Sequence, residues 1–545
     1  MNIKYFFITL CLLKIVSAQV SEVGLPYSYS NSIELTTPTI ILPEVNVDSL
    51  LIADENERHA EFPKPPRFGT AIPVNLSINS NNFWTELENG DRIWSIKIIS
   101  EGAKSLNFNF SVYILQPGSN LYIYNEDYSQ ILGAYTSNNN KIFQQFASAF
   151  IYDDSCIIEF YQMVGNNDQL ELGSIVHRYT NEDRNCGDAA ECNINVNCED
   201  GLEEYDNFTF SEWDDVQRSV GMHLIDMNTR KCSGVLVNNT SGINEQYFLT
   251  ASHCAFISHN YPDQWALDIE NSLFKFNYES DNCENINCDN DIENFYNDDI
   301  YHGLIPISLN NTNDFALVKI EESISPESNV YYSGWTLSEN PQSLIGIHHP
   351  RQDIKKISWS TEPYEIVESI STLHPGYYWI FNWNFGTIQG GSSGSPLYNE
   401  NQKLIGVCSG YTGSICTDET LIGYGTFANA YFPETGGDNL KDWLNNENFN
   451  LTEINGRNWN EGCTDPTAYN YNEVATIDID ICLYCENLEI ISGDVNIDGS
   501  VNILDIVIIA NCILSDNCDI CFDLNGDQDL DILDIVILAN IILDN

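Results

Sequence analysis

The run Gly391-Ser392-Ser393-Gly394-Ser395-Pro396 constrains this chain more than any other stretch. It places serines between glycines, in a backbone able to turn tightly. Two partners lie upstream. Thr250-Ala251-Ser252-His253-Cys254 follows the strand-like Gln246-Tyr247-Phe248-Leu249, and Asn313-Asp314 opens the strand-like Phe315-Ala316-Leu317-Val318. The chain order is histidine, aspartate, serine. Each alone has an ordinary explanation: a packed or surface histidine, a flexible loop, a turn aspartate. All three in this order, each in a suitable local setting, point to one chemical unit.

A serine hydroxyl is a weak nucleophile until a base takes its proton. His253 titrates near neutral pH and suits that role. Asp314 would hold the imidazole in the right tautomer and stabilise its charged form. Ser392, Ser393 and Ser395 compete for the nucleophile position. Ser393 is preferred, because Gly394 follows it and Gly391 lies two residues before, in a G-x-S-G-x-P frame. The N–H groups of Gly391 and Ser393 would then face a developing oxyanion, where one donor is worth roughly 3 kcal/mol. The order matches chymotrypsin-like proteases and differs from subtilisin and the α/β-hydrolases.

Over roughly residues 186–446 the chain resembles the secreted lysyl endopeptidases of the chymotrypsin-like superfamily. The markers are Cys192-Asn193-Ile194-Asn195-Val196-Asn197-Cys198, Cys232-Ser233-Gly234-Val235-Leu236-Val237-Asn238-Asn239-Thr240, Tyr247–Cys254, Ile347-His348-His349-Pro350 and the GSSGSP run. The resemblance implies two antiparallel β-barrels with the active site between them, and places His253, Asp314 and Ser393 in the triad. It implies disulfides Cys192–Cys416, Cys198–Cys283 and Cys232–Cys254. It gives no partner to Cys156, Cys186, Cys288 or Cys408.

Two departures bear on function. Lysine-selecting members carry an aspartate just before a Tyr-Gly pair, where this chain has Ile422 before Gly423-Tyr424-Gly425. Trypsin's alternative acid, six residues before the nucleophile, is here Thr387. A buried carboxylate is what makes a pocket prefer Lys or Arg, so an uncharged P1 residue is expected. Glutamyl endopeptidases share the Gly-Gly-x-Ser-Gly-Ser-Pro pattern but use a pocket histidine, where Cys408 or Ser409 sits here. Secondly, trypsin-like zymogens mature when a new N-terminus pairs with an aspartate beside the nucleophile. Ser392 occupies that place, so maturation is expected to run through removal of a covering prodomain instead.

The chain has 545 residues, enough for several domains. Residues 1–18 read as a secretory signal, with Lys4, an apolar core over Tyr5–Leu13 and a Val16-Ser17-Ala18 cleavage site. No later run has the ~20 apolar residues of a transmembrane helix. Seventeen cysteines, less Cys11 in the signal, leave an even number, which fits a disulfide framework in an exported protein. The formal charge of −57 argues against nucleic-acid binding, which needs basic patches. Residues 19–65 read as a polar pro-segment or linker. Residues 66–182 alternate short apolar and polar runs with turn signals, a β-sandwich-like pattern similar to bacterial protease propeptides.

Residues 447–461 form an Asn-rich linker. Residues 462–487 resemble a small repeat module of secreted bacterial proteins, with Cys463–Cys482 as its expected bridge. Residues 488–545 contain a duplication: Asn502–Asn511 recurs 29 residues later as Asp531–Asn540. Each copy carries oxygen ligands at EF-hand spacing. The first set is Asp494, Asn496, Asp498, the Ser500 carbonyl, Asn502 and Asp505. The second is Asp523, Asn525, Asp527, the Asp529 carbonyl, Asp531 and Asp534. Gly499 suits the sharp turn of the first loop, and Gln528 replaces it in the second. An Asp at the twelfth position and one helix per loop resemble a type I dockerin. That implies structural Ca²⁺ and a cohesin-type scaffold partner, with Ile503-Leu504 and Ile532-Leu533 at the usual recognition positions.

The expected fold is mainly β: a two-barrel protease, a β-sandwich-like prodomain before it and a small helical calcium-binding domain after it. The leading functional reading is a secreted serine endopeptidase acting on protein or peptide substrates, attached to a surface or assembly by its tail, with no cofactor in catalysis. The alternative is a catalytically silent adhesion or scaffold protein that keeps the protease fold as a binding platform. Cys485, Cys512, Cys518 and Cys521 carry no pairing in this reading.

Overall fold

The computed structural model describes residues 24–58, 65–79, 83–180, 189–242, 244–255, 271–283, 299–369, 376–413, 415–417, 420–433, 438–445, 451–466, 468, 470–482, 501–515, 524 and 530–544. The signal at 1–18 lies outside them, as do Cys186, Cys288, Cys485, Cys518 and Cys521; of Cys512 only the helical backbone is described.

Alternating β-branched and aromatic residues build two sheets between residues 39 and 178. One orders Thr39–Ile41, Arg92–Ile99, Ser155–Gln162, Asn120–Tyr124 and Ile131–Tyr135, with Trp84–Glu86 added on Arg92–Ile99. The other orders Gly69–Ser77, Gln169–Arg178, Leu106–Ile114 and Phe146–Ala147. Their inner faces share one core containing Phe68, Ile96, Phe108, Leu121, Phe160 and Ile175.

The stretch 19–65, expected to be a pro-segment or linker, is structured where it is described. Thr39–Ile41 pairs in parallel with Lys97–Ile99, and Val47–Arg58 is helical. Further upstream, Ser28 donates from its N–H (2.9 Å) and its hydroxyl (2.5 Å) to the buried carboxylate of Glu159, which also accepts from Tyr124 (2.8 Å). A buried carboxylate needs such donors, so this segment completes the sandwich.

Seven antiparallel strands follow in the order Asp299–His302, Leu273–Phe276, Val220–Ile225, Arg230–Leu236, Tyr247–Thr250, Phe315–Ile320 and Leu304–Asn310. Tyr301 and Leu304 come from opposite ends of that order, yet both join Phe248, Phe274 and Val318 in one core. The sheet therefore curls on itself. The second sheet runs Ile194–Asn195, Lys356–Ser360, Leu344–His348, Pro396–Tyr398, Leu404–Thr412, Leu421–Thr426, Tyr378–Phe381 and Glu365–Val367. It too curls, because Leu344 and Trp379, three strands apart between them, meet in a core with Leu397, Ile422 and Tyr424. A third cluster, including Leu249, Leu317, Ile345, Val407 and Phe427, joins the two barrels.

The sandwich also packs on the first barrel. Met222, Leu224, Leu273 and Ile300 belong to the sandwich core, Phe68 N–H donates to the Thr229 carbonyl (2.9 Å), and Arg230 binds the Pro65 carbonyl (2.7 Å) and Glu57 (2.8 Å). Beyond the barrels, Glu453–Ile454 and Arg457–Asn458 pair with Trp335–Thr336 and Tyr331–Tyr332. The part of the expected linker that is described thus adds strands to the preceding domain. The C-terminal pair of helices, Ile503–Ser515 and Ile532–Asp544, packs through Ile509 and Leu538.

Disulfides join Cys192–Cys416, Cys198–Cys283, Cys232–Cys254 and Cys463–Cys482. Cys232–Cys254 ties the strand Arg230–Leu236 to the helical turn carrying His253, closing a separation of 22 residues. Closing such a loop stabilises by about 3 kcal/mol. Replacing both cysteines by serine is expected to lower the thermal midpoint accordingly and to reduce catalysis further by loosening His253. Unchanged melting and activity would show that the bridge carries neither role. Among the described residues, no helix is long and apolar enough to cross a membrane.

Candidate active site

His253 lies on the short helical turn Ser252–Ala255, just past the strand Tyr247–Thr250. Asp314 immediately precedes the strand Phe315–Ile320, which pairs antiparallel with Tyr247–Thr250 in a register that sets Thr250 opposite Ala316. That register brings the two side chains together. Asp314 has φ 50°, a left-handed conformation that aspartate tolerates better than most residues, and is fully buried.

The Asp314 carboxylate is held from three directions. His253 Nδ1 stands 2.9 Å from Oδ2 and 3.1 Å from Oδ1. The His253 backbone N–H donates to Oδ1 (3.1 Å), and the Ser252 hydroxyl donates to the same oxygen (2.8 Å). With Nδ1 donating to a carboxylate, Nε2 is the bare nitrogen of the neutral ring. Burial pulls the His253 pKa down, but the charge and hydrogen bond of Asp314 outweigh it, and the net shift is upward from 6.5.

The GSSGSP loop sits directly against the segment leading to His253. Gly394 has φ 83°, and a Cβ there would collide with Thr250 Oγ1 and the Ser233 carbonyl. Only glycine allows this approach. Ser392 and Ser395 are fully buried, whereas Ser393 is partly exposed. Burial thus separates the three competing serines.

Every carbonyl from 390 to 393 has a donor. Gly390 accepts from Arg351 N–H (2.7 Å), Gly391 from the Ser233 hydroxyl (2.8 Å), Ser392 from Ser395 N–H (3.0 Å) and Ser393 from Ser233 N–H (2.8 Å). In a trans peptide the N–H points opposite to the preceding carbonyl. Fixing the Gly390 and Ser392 carbonyls therefore aims the N–H groups of Gly391 and Ser393. Neither of those N–H groups donates to another described residue.

Thr387 and Ile422 are both buried. Ile422 pairs with Phe381 and Tyr411 and belongs to the second barrel's core beside Ile388 and Cys408. These positions supply a hydroxyl and an alkyl group, and no charge. Asp418 and Glu419, the acidic residues that precede Ile422 in the sequence, lie outside the described residues. Cys408 is a buried free thiol, pushed up to about 12 by burial, so it stays protonated and is a poor nucleophile. Cys156, the other buried free thiol among the described residues, sits in the sandwich core. The structural roles of Ser233, Ser252 and Arg351 had no signature in the sequence.

Of the calcium positions, Asn502, Asp505, Asp531 and Asp534 are described; Asp494, Asn496, Asp498, Ser500, Asp523, Asn525, Asp527 and Asp529 lie outside. Asp505 and Asp534 are fully buried. Asp505 accepts from Asn502 N–H (2.7 Å), and Asp534 from Asp531 N–H (2.9 Å) and Leu524 N–H (2.8 Å). A buried carboxylate tied into its own acidic loop by backbone N–H groups is the donor chemistry a hard cation takes.

Residues 186–425 match the family model "Lysyl endopeptidase, C-terminal domain", and residues 492–543 match "Dockerin type I domain". A lysyl endopeptidase of Pseudomonas aeruginosa is 25% identical over 219 residues, 39% of this chain. The aligned region spans 42% of that relative's length. Solved structures similar to this chain include a serine endoprotease from Yersinia pestis, at 16% identity and TM-score 0.26, covering 40% of this chain and 62% of that one. Another is the Rv3671c protease of M. tuberculosis H37Rv, as its Ser343Ala mutant, at 12% identity and TM-score 0.25, covering 39% and 83%. The fold rests on the strand pairing described above rather than on those partial superpositions. Residues 186–425 are thus similar to the C-terminal domain of lysyl endopeptidases, which are serine proteases, on a chain whose residues 492–543 match a type I dockerin domain.

Proposed function

We propose that the protein is an exported serine endopeptidase in which Ser393 is the nucleophile, His253 the general base and Asp314 the orienting carboxylate. The supporting observation is the pairing of the half-buried His253 with the fully buried Asp314, with the partly exposed Ser393 on a loop packed against the same strand end. Ser393 Oγ attacks the scissile carbonyl as its proton passes to His253 Nε2. The new Oγ–C bond leaves an oxyanion, which the N–H groups of Gly391 and Ser393 receive. The C–N bond then breaks, and His253 returns the proton to the departing amine. Water attacks the acyl-enzyme by the same route and frees Ser393.

The uncharged surroundings of Thr387 and Ile422 favour an uncharged P1 residue over lysine. The N-terminal domain 66–182 acts as a folding aid or a cleft cover, consistent with Arg230 donating to the Pro65 carbonyl (2.7 Å) and Lys231 N–H donating to the Pro66 carbonyl (3.4 Å) where it joins the first barrel. The dockerin domain binds structural Ca²⁺ through the two ligand sets and docks the enzyme onto a cohesin-type partner outside the cell. The Ca²⁺ supplies charge neutralisation to those loops and takes no part in peptide cleavage. A fluorophosphonate reagent tests the assignment. Mass spectrometry of the labelled protein should place the adduct on Ser393, and an adduct on Ser392, Ser395 or no serine would contradict it.

The pH profile follows from the direction of the His253 shift. The base must be neutral, so kcat/KM should rise with pH along a limb centred above 6.5. Asp314→Asn removes the cause of the upward shift. It should move that limb downward and cost about 10⁴-fold in kcat. A limb that stays in place in this variant would remove Asp314 from the mechanism. The same pair contributes to stability below the unfolded pKa, and that contribution fades as pH rises through the folded value.

A further inference from the structure

The Ser392 hydroxyl, next to the nucleophile, is engaged by a second histidine. His348 is fully buried at the end of the strand Leu344–His348, and its Nδ1 stands 2.8 Å from Ser392 Oγ. Its Nε2 stands 3.2 Å from the hydroxyl of Ser358, on the adjacent strand Lys356–Ser360. Ser358 donates to the Thr387 carbonyl (3.2 Å), and Gln389 N–H donates to Ser392 Oγ (3.1 Å).

Proton counting orders this chain uniquely. The Thr387 carbonyl can only accept, so it consumes the single Ser358 proton. Ser358 Oγ must then accept from His348, which puts the ring proton on Nε2. Nδ1 is therefore bare and accepts from the Ser392 hydroxyl, whose oxygen in turn accepts from Gln389 N–H. The chain starts and ends in the same loop, at Gln389 and Thr387, with His348 as its centre.

We propose that His348 is a positioning residue, which clamps the 387–392 loop through Ser392 and Ser358 and so holds the oxyanion donors and the Thr387 wall in working geometry. This rests on the protease reading of the same site. The loop that bears the Gly391 N–H is fixed on one side by Arg351 and Ser233 and on the other by this buried chain. An aspartate at position 392 would need a cationic partner, such as a newly exposed N-terminus. An uncharged serine with a neutral imidazole needs none, so the loop is set within the domain itself. Burial and the charge of Lys356 hold His348 down at about 3, so the ring stays neutral wherever His253 is active. Lys356 is itself paired with Asp353 and Asn195.

The test uses the protein produced and processed with its N-terminal region. Ser392→Ala breaks the clamp at the nucleophile loop, and Ser392→Thr keeps the hydroxyl. The expected result is a loss of about tenfold to hundredfold in kcat for Ser392→Ala, part of the worth of one oxyanion donor. KM should change much less, and Ser392→Thr should recover most of the loss. A kcat within threefold of wild type for folded Ser392→Ala would overturn the proposal. Should Ser392→Ala fail to fold, ¹⁵N NMR of the His348 ring in the unaltered protein decides. Protonated Nε2 with bare Nδ1 supports the clamp, and the opposite tautomer or a charged ring overturns it. If the unaltered protein cleaves no better than Ser393→Ala, the protease reading fails first, and the clamp falls with it for want of anything to position.

Discussion

Ser393→Ala is expected to lower kcat by about 10⁶-fold, to the residual rate that binding and oxyanion stabilisation alone support. The size follows from covalent catalysis. Without Oγ there is no acyl-enzyme, and water must attack the amide directly. His253 and Asp314 then have no nucleophile to serve, so removing them as well should add little. The contrast with Ser392 is informative. Both are serines in one hexapeptide, yet Ser392 is buried against His348 and Ser393 is partly exposed. A loss of six orders at Ser393 beside one or two at Ser392 would separate nucleophile from support. Steady-state kinetics on one peptide amide, with active-site titration to count working enzyme, measures both. Equal losses at the two positions would contradict this division.

Removing calcium is expected to unfold the C-terminal helices and leave peptide cleavage intact. Asp505 and Asp534 are fully buried at the starts of those helices, in loops dense with carboxylates. Without a cation those charges repel one another and are poorly solvated. A ligand at 1,000 times its Kd stabilises the folded form by about 4 kcal/mol per site. For a domain of this size that corresponds to a drop in midpoint of tens of degrees on chelation. None of the proposed triad or oxyanion residues lies in the dockerin match at 492–543. Calorimetry of the full chain with and without a chelator, alongside a peptide assay, should show the loss of one transition and unchanged turnover. Parallel loss of both would mean that calcium also holds the protease together.

How much could be read from the sequence depended on how local each feature is. His253 and Asp314 sit at strand ends with recognisable flanks, and the GSSGSP run carries its own turn chemistry. The C-terminal loops repeat their ligand spacing along the chain, so the dockerin resemblance was legible there too. The supports were not. Ser252 reaches Asp314 across 62 residues, His348 reaches Ser392 across 44, and Ser233 reaches Gly391 across 158. Such contacts arise from strand register, which no short motif encodes. His348 was visible only as part of a family marker, without a role. The segment 19–65 reads only as a polar pro-segment or linker because Thr39–Ile41 is a three-residue edge strand, too short for an alternating pattern to show. Its pairing with Lys97–Ile99, and the capping of Glu159 by Ser28, are tertiary facts.

The most direct test of the central claim is a cleavage profile on a diverse peptide library, comparing the processed protein with its Ser393→Ala variant. Cuts made only by the unaltered protein, after uncharged P1 residues, are predicted by the triad and by the neutral Thr387 and Ile422 positions. Cuts confined to lysine would contradict the pocket reading. Equal profiles for the two proteins, with the N-terminal region demonstrably removed, would contradict the protease assignment and favour a silent binding platform.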